Sequence, residues 1–151
     1  MTLKLFAAIV ACRKIEGHWE VLLQDSETTI SKFRWQGKQT KFPGGRGEIT
    51  DSGFLGIARR EFQQETGYKI NDGVNPKVVY DVIDGNQHKK FFIVFVEEIT
   101  GELRVAVILD GTSRLFPPYW VRVNEAGLER KIYKTHRPAF RTTRRHLNLM
   151  G

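Results

Sequence analysis

The sequence predicts an α/β layered sandwich with a mixed β-sheet, on three observations. Runs rich in β-branched and aromatic residues alternate with two longer stretches of helical periodicity. Strand candidates lie both before and after the first helix, and a second helix closes the chain. No internal repeat or low-complexity linker interrupts that order, so residues 1–151 are read as one domain with its own core.

The first strand is expected at residues 3–13, LKLFAAIVACR. Its lysine, short apolar run and Cys12 also fit a lipoprotein signal loosely. The apolar run is at the short end for such a signal and the preceding basic region is almost absent, so a buried strand is preferred. Further strands are expected at 18–25, 32–36, 77–84, 90–99, 103–108 and 119–123, each bounded by Gly, Pro, Asn or Asp. Asp84-Gly85-Asn86 supplies a hairpin turn. One helix is expected from about Gly53 to Thr66, stopped by Gly67, and a basic one at about 137–150, with Pro138 in its first turn. A short helical turn is expected near 124–129.

With 40% hydrophobic and 27% charged residues the chain has a globular composition rather than a disordered one. The lone cysteine excludes an internal disulfide framework and fits a reducing compartment, so a cytoplasmic location is expected. No apolar run approaches the roughly 20 residues a membrane span needs, and no membrane partner is expected. The net charge of +7 is uneven. After Glu129 there are no acids, while Arg130, Lys131, Lys134, Arg137, Arg141, Arg144 and Arg145 supply the whole excess. Such a segment is either a solvated cationic face or a surface that attracts nucleotides, RNA or phospholipid.

The chemistry-bearing stretch is ARREFQQETGYKI, residues 58–70. At about 100° per residue, Phe54, Leu55, Ile57, Ala58 and Phe62 form one apolar arc. Glu61 and Glu65 fall inside that arc, while Gln64 lies toward its edge. Unpaired charge is costly to bury, so a cation should face these carboxylates, either a metal or an arginine. Their i, i+4 spacing lets both reach one hard cation. Immediately upstream, the loop FPGGRGE brings Pro43, Gly44 and Gly45 beside the helix, and paired glycines let backbone approach a ligand closely.

These residues resemble the signature of the Nudix hydrolase superfamily (MutT-like), G-x5-E-x7-R-E-U-x-E-E-x-G-U with U a bulky aliphatic residue. Gly45 matches the first glycine, and Arg60-Glu61-Phe62-Gln63-Gln64-Glu65-Thr66-Gly67-Tyr68 matches the second half. FPGG and PPYWVRVNEAGL are similar to the segments that flank the motif in that family. The box is degenerate in three ways. Gln64 stands where the first glutamate of the pair is usual, and Phe62 and Tyr68 are aromatic. The upstream acid is Asp51 counted from Gly45, but the position is Ser52 counted back from Arg60.

The resemblance implies an α/β/α sandwich with a central mixed sheet and a Mg²⁺- (or Mn²⁺-) dependent pyrophosphohydrolase. Arg60, Glu61 and Glu65 would be catalytic, and Gly44 and Gly45 would contact substrate. Gly45, Glu61, Gln64, Glu65 and an acid from outside the box would hold the metal. Glu98 is expected to be that acid, with Glu97 and Glu125 the other candidates. Metal there neutralises diphosphate charge and activates the attacking water. Gln64 offers an oxygen but no charge, so a surviving site of lowered affinity is expected.

The downstream window where some subfamilies carry a proline or a tyrosine reads Asp84-Gly85-Asn86 here, so neither marker is present. The expected substrate is then a nucleoside triphosphate or related nucleotide. Trp19, Trp35, Tyr80, Phe92 and Trp120 are either base-stacking or core residues. A catalytically weakened Nudix-fold module that binds nucleotide or RNA is the alternative, with an RNA-end pyrophosphohydrolase a third reading. RNA contact would run through the basic C-terminal segment, and the chain would act as a monomer or homodimer.

Overall fold

The computed structural model describes residues 2–31, 34–35, 37–48 and 50–151. The elements run β1 (Lys4–Ile15), β2 (His18–Ser31), β3 (Arg34–Trp35), β4 (Gln39–Lys41), β5 (Gly44–Arg46), α1 (Gly53–Thr66), β6 (Tyr68–Ile70) and β7 (Lys77–Asp84). There follow β8 (Gln87–Phe95), β9 (Ile99–Gly101), β10 (Ile108–Asp110), β11 (Ser113–Leu115), β12 (Tyr119–Arg122), α2 (Leu128–Lys131) and α3 (Arg137–Met150).

The sheet is mixed, as expected. Its path is β10-β11-β2-β1-β8-β7, with β3, β4 and β12 also paired to β2 and β5 paired to β1. Strand β1 runs parallel to β8, and the other pairings are antiparallel. The continuous apolar run of β1 follows from its central place, because both faces of the sheet are covered. Ala7, Ile9 and Ala11 point to one face, where they meet Ile57, Ala58 and Phe62 of α1. Ala8, Val10 and Cys12 point to the other, where they meet Ala139, Phe140 and Leu147 of α3. The result is an α/β/α sandwich with one core on each side of the sheet.

Helix α1 has the bounds its periodicity predicts. It ends because Gly67 takes a left-handed conformation, φ 84°, with its amide bonded to the Gln63 carbonyl. A Cβ at this position would also collide with the Glu102 carbonyl oxygen, so a side chain is excluded twice over.

Four expectations need correction. Residues 103–108 are not a strand: 102–107 carry no strand pairing, and β10 begins only at Ile108. The chain there is drawn to the end of α1, where the Arg104 amide bonds the Thr66 carbonyl at 2.7 Å. The run expected at 90–99 breaks after Phe95 into the 3-10 turn Val96–Glu98. Ile99–Gly101 then pairs with Tyr68–Ile70 as a separate two-stranded sheet. Gly44–Arg46, read as a loop, is a strand on β1, with Ala7 opposite Gly45. The helical turn expected at 124–129 forms at Leu128–Lys131 instead. Of the strand expected at 32–36, Lys32, Phe33 and Gln36 lie outside the described residues.

Candidate functional site

Four elements meet at the α1 carboxylates. Helix α1 supplies Glu61 and Glu65, which are 8% and 5% exposed. Strand β5 lies against them so tightly that a Cβ on Gly45 would sit 2.7 Å from Glu61 Oε1. The Gly44 amide donates to Glu65 Oε1 at 3.0 Å. Gln24 of β2 donates from Nε2 to the same oxygen at 2.7 Å. Both glycines are therefore required for close approach, Gly45 to the Glu61 carboxylate and Gly44 to Ala7 and Ala8 of β1.

The fourth element was not foreseen. Asp110, at the end of β10, brings a carboxylate oxygen within 4.8 Å of one on Glu61 and one on Glu65. It sits in an Asp-Gly hairpin, with Asp110 paired to Ser113 across Gly111, φ 61°. That dipeptide between apolar residues is the signal that was available in the sequence. Glu98, expected in this place, instead accepts the Phe95 amide at 2.9 Å in the 3-10 turn. It lines a separate cavity with Asn75, Phe95, His146 and Met150. Glu97 shares that turn, and Glu125 lies 3.8 Å from Lys131.

Arg60 organises the flank. It grips Asp51 with two bonds, Nε to Oδ1 at 2.9 Å and Nη2 to Oδ2 at 3.0 Å. Nη1 donates to Glu61 Oε1 at 2.7 Å and, at 3.4 Å, to the Gln64 amide oxygen. The position left open in the motif is thus filled by Asp51, with Ser52 preceding the helix. The Arg60 bond holds the Asp51 carboxyl below its ordinary pKa. The same bond to Asp51, with help from Glu61, pushes the guanidinium further up. Gln64 itself is exposed at the rim, its oxygen directed at Arg60.

Electrostatically the pair is frustrated. Burial first, and the adjacent Glu61 carboxylate second, drive the Glu65 pKa well above the usual carboxylate range. The bonds from Gly44 and Gln24 oppose that rise. Two buried carboxylates so placed need a shared proton or a cation between them. The donors are all oxygens, and with Asp110 they number three carboxylates, which suits a hard divalent ion of the Mg²⁺ or Mn²⁺ type.

A small cavity of about 140 Å³ opens beside Glu65 and Asp110, and Lys41 also lines it. Burial lowers the Lys41 pKa; Glu65 opposes that shift and Lys89 reinforces it. Its Nζ lies 4.9 Å from the Tyr133 ring centroid. No regular pattern in the sequence marked Lys41, Gln24 or Arg104 as neighbours of the acids, because all three reach the site from distant strands and loops.

The aromatic candidates lie elsewhere. Phe92 is core beneath α1, and Trp19 packs against Phe95 at 5.9 Å. Trp120 lies under Arg13 at 4.4 Å, and Tyr80 meets Phe91 at 6.1 Å. The Trp35 side chain lies outside the described residues. In the basic segment, Arg141 and Arg144 both bind Glu129, and Arg137 donates to the Ile132 and Arg130 carbonyls. No helix among the described residues is long and apolar enough to cross a membrane.

A family model described as NUDIX domain matches residues 4–143. No curated protein matches the chain. Among solved structures, the Nudix domain of Shewanella oneidensis NrtR, complexed with ADP ribose, is similar at TM-score 0.67 and 14% identity. That match covers 97% of this chain and 89% of the other. A MutT from work on Aliivibrio salmonicida and Vibrio cholerae gives 0.63 at 15% identity, covering 93% and 95%. The MutT Nudix hydrolase of Burkholderia pseudomallei gives 0.61 at 14%, covering 94% and 98%. At these identities the likeness to solved structures carries the fold alone, whereas the family model spans nearly the whole sandwich and the motif beside its carboxylates. The chain belongs to the Nudix hydrolase family.

Proposed function

We propose that this protein hydrolyses a pyrophosphate bond in a nucleoside diphosphate-linked compound, with a nucleoside triphosphate or related nucleotide as substrate, and that a divalent cation is required. The observation that carries the reading is the convergence of Glu61, Glu65 and Asp110 against Gly44 and Gly45. Three carboxylates this close, two of them buried on one helix, call for a cation among them.

Glu61, Glu65 and Asp110 would hold the ion, Mg²⁺ or Mn²⁺, with the Gly45 carbonyl and the Gln64 amide oxygen as further oxygen donors. The bound ion supplies charge neutralisation of the diphosphate and acidifies the attacking water. Arg60 keeps Glu61 fixed by a bond at 2.7 Å while Asp51 fixes Arg60 in turn. Gln24 and the Gly44 amide hold Glu65 Oε1 from two sides, so its carboxylate cannot swing away from the site. Lys41 is the cationic side chain on the cavity wall and would meet substrate phosphate.

A second reading, a Nudix-fold module that binds nucleotide with little or no turnover, is favoured by Gln64, which removes one charge from the motif. RNA contact through α3 belongs to this reading: Arg145, which makes no ion pair among the described residues, would meet phosphate there. One panel separates the readings. Nucleoside triphosphates, nucleotide sugars, dinucleoside polyphosphates and triphosphorylated RNA are incubated with Mg²⁺ or Mn²⁺, and phosphate or pyrophosphate release is scored. Turnover lost in Glu65→Gln supports the enzyme; binding without turnover across the panel supports the module and overturns the enzyme.

A further inference from the structure

We infer that Arg104 is a positioning residue: it holds Asp110 against the helix carboxylates, so that cation binding depends on a side chain that does not itself face the ion. This rests on the reading of Glu61, Glu65 and Asp110 as a cation site.

A guanidinium has five N–H donors, and in Arg104 every one is used. Nε donates to the Glu65 backbone carbonyl at 2.6 Å. Nη1 donates to the carbonyls of Ala106 and, at 3.3 Å, Leu115. Nη2 donates to the Phe116 carbonyl at 3.0 Å and to Gln24 Oε1 at 3.3 Å.

The partners fall into two groups, and the grouping carries the inference. Ala106, Leu115 and Phe116 stand at the two ends of the segment that folds into β10 and β11, so the guanidinium closes the base of the hairpin that presents Asp110. Glu65 and Gln24 belong to the opposite wall. A cation at the last turn of α1 satisfies a carbonyl that has no partner within the helix. Because Gln24 directs its oxygen at Arg104, its amide nitrogen must face Glu65 Oε1, where the bond of 2.7 Å is found. One side chain thus joins the Asp110 hairpin to the backbone of Glu65 and, through Gln24, to its carboxylate.

Among the described residues, the other ties of that hairpin fall on its far strand, where Arg114 pairs with Glu27 and Leu115 is buried. Strand β10 is the edge of the sheet and, among the described residues, pairs with β11 alone. Val105, Val107 and Leu109 are 87%, 50% and 78% exposed, so apolar burial does not anchor the approach to Asp110. The remaining ties run from β11 and Thr112 to β2, on the far strand of the hairpin. Loss of the guanidinium would free the near strand, and Asp110 with it.

The test is a double-mutant cycle on Mn²⁺ affinity, with Mn²⁺ alone as the ligand and free ion counted by electron paramagnetic resonance. The wild type, Arg104→Lys, Asp110→Asn and the double variant are compared, and amide exchange is followed across 106–116. Lysine keeps the charge but cannot span both walls. The expected result is a loss of about 10- to 100-fold in Mn²⁺ affinity for Arg104→Lys, the range seen when a residue orienting a metal ligand is removed. In the Asp110→Asn background the same substitution should cost far less, leaving only the part that runs through Gln24 to Glu65. Exchange should quicken at the hairpin and not in α1. Equal losses in both backgrounds, or unchanged affinity, would overturn the inference while leaving the cation site standing. A wild type that binds no Mn²⁺ would overturn both. Arg104→Gln gives the same comparison if Arg104→Lys does not fold.

Discussion

Glu61 and Glu65 occupy positions on α1 where burial would otherwise call for leucine, and that cost is the starting point of the account. Without a cation, Glu65 is held against a neighbouring carboxylate and its pKa lies above the ordinary range. Glu65→Gln removes that repulsion and leaves an oxygen for the Gly44 amide. We therefore expect the variant to lose at least about 100-fold in turnover while its metal-free melting temperature at neutral pH does not fall. Steady-state kinetics beside thermal unfolding check this, and a variant that fails to fold would contradict it. Gln64 lies at the rim rather than in the buried pair, so Gln64→Glu should tighten Mn²⁺ binding by restoring a charge. A titration showing weaker binding would oppose that placement. At this scale the sequence was informative where function breaks a local rule: acids inside an apolar arc, glycines where a side chain would collide. It was mute about Asp110, Gln24, Lys41 and Arg104, whose roles depend on contacts between residues far apart in the chain.

Among the elements, α1 carries most of the design. Phe62 is fully buried between α1 and the sheet, and Phe62→Ala should cost about 3–5 kcal/mol. Gly67 ends the helix and also lets the Glu102 backbone pass, so Gly67→Ala joins a strained φ to a collision. It should cost more than about 1 kcal/mol and should also weaken Mn²⁺ binding, since residues 102–104 lead to the Asp110 hairpin. Denaturant unfolding together with a Mn²⁺ titration tests both halves. The bounds of α1 and α3 were legible because amphipathic periodicity, Gly67 and Pro138 all agreed. Residues 103–108 were misread for a physical reason. Leu103, Val105 and Val107 alternate as a half-buried strand does, yet Val105 and Val107 stay in solvent. The segment is diverted by polar bonds to the end of α1, and those leave no periodic trace. Gly44–Arg46 was hidden for the opposite reason: its glycines signal a loop, whereas they are strand residues chosen for close approach.

The whole molecule is two cores back to back on one sheet, with the carboxylates set at the edge of the α1 core and α3 sealing the other. His136 lies at the heart of the α3 side, 4% exposed, where Nδ1 accepts the Phe42 amide at 3.1 Å. Burial, reinforced by Lys41 and Lys89, lowers its pKa to about 3 from an unfolded value of 6.5. The native state therefore refuses a proton that the unfolded chain accepts. This group's contribution is intact above pH 6.5 and is lost as pH falls toward about 3, at roughly 1.4 kcal/mol per pH unit. His136→Gln should flatten the stability profile in that window, and an unchanged acid slope would refute the assignment.

Residue, helix and sheet converge on one proposed role, that Glu61, Glu65 and Asp110 together hold a divalent cation. A crystal grown with Mn²⁺ and measured at a wavelength where manganese scatters anomalously tests it directly. The account predicts one or more anomalous peaks bonded to oxygens of all three carboxylates. Peaks elsewhere on the surface, or none at millimolar Mn²⁺ with these side chains ordered, would contradict it.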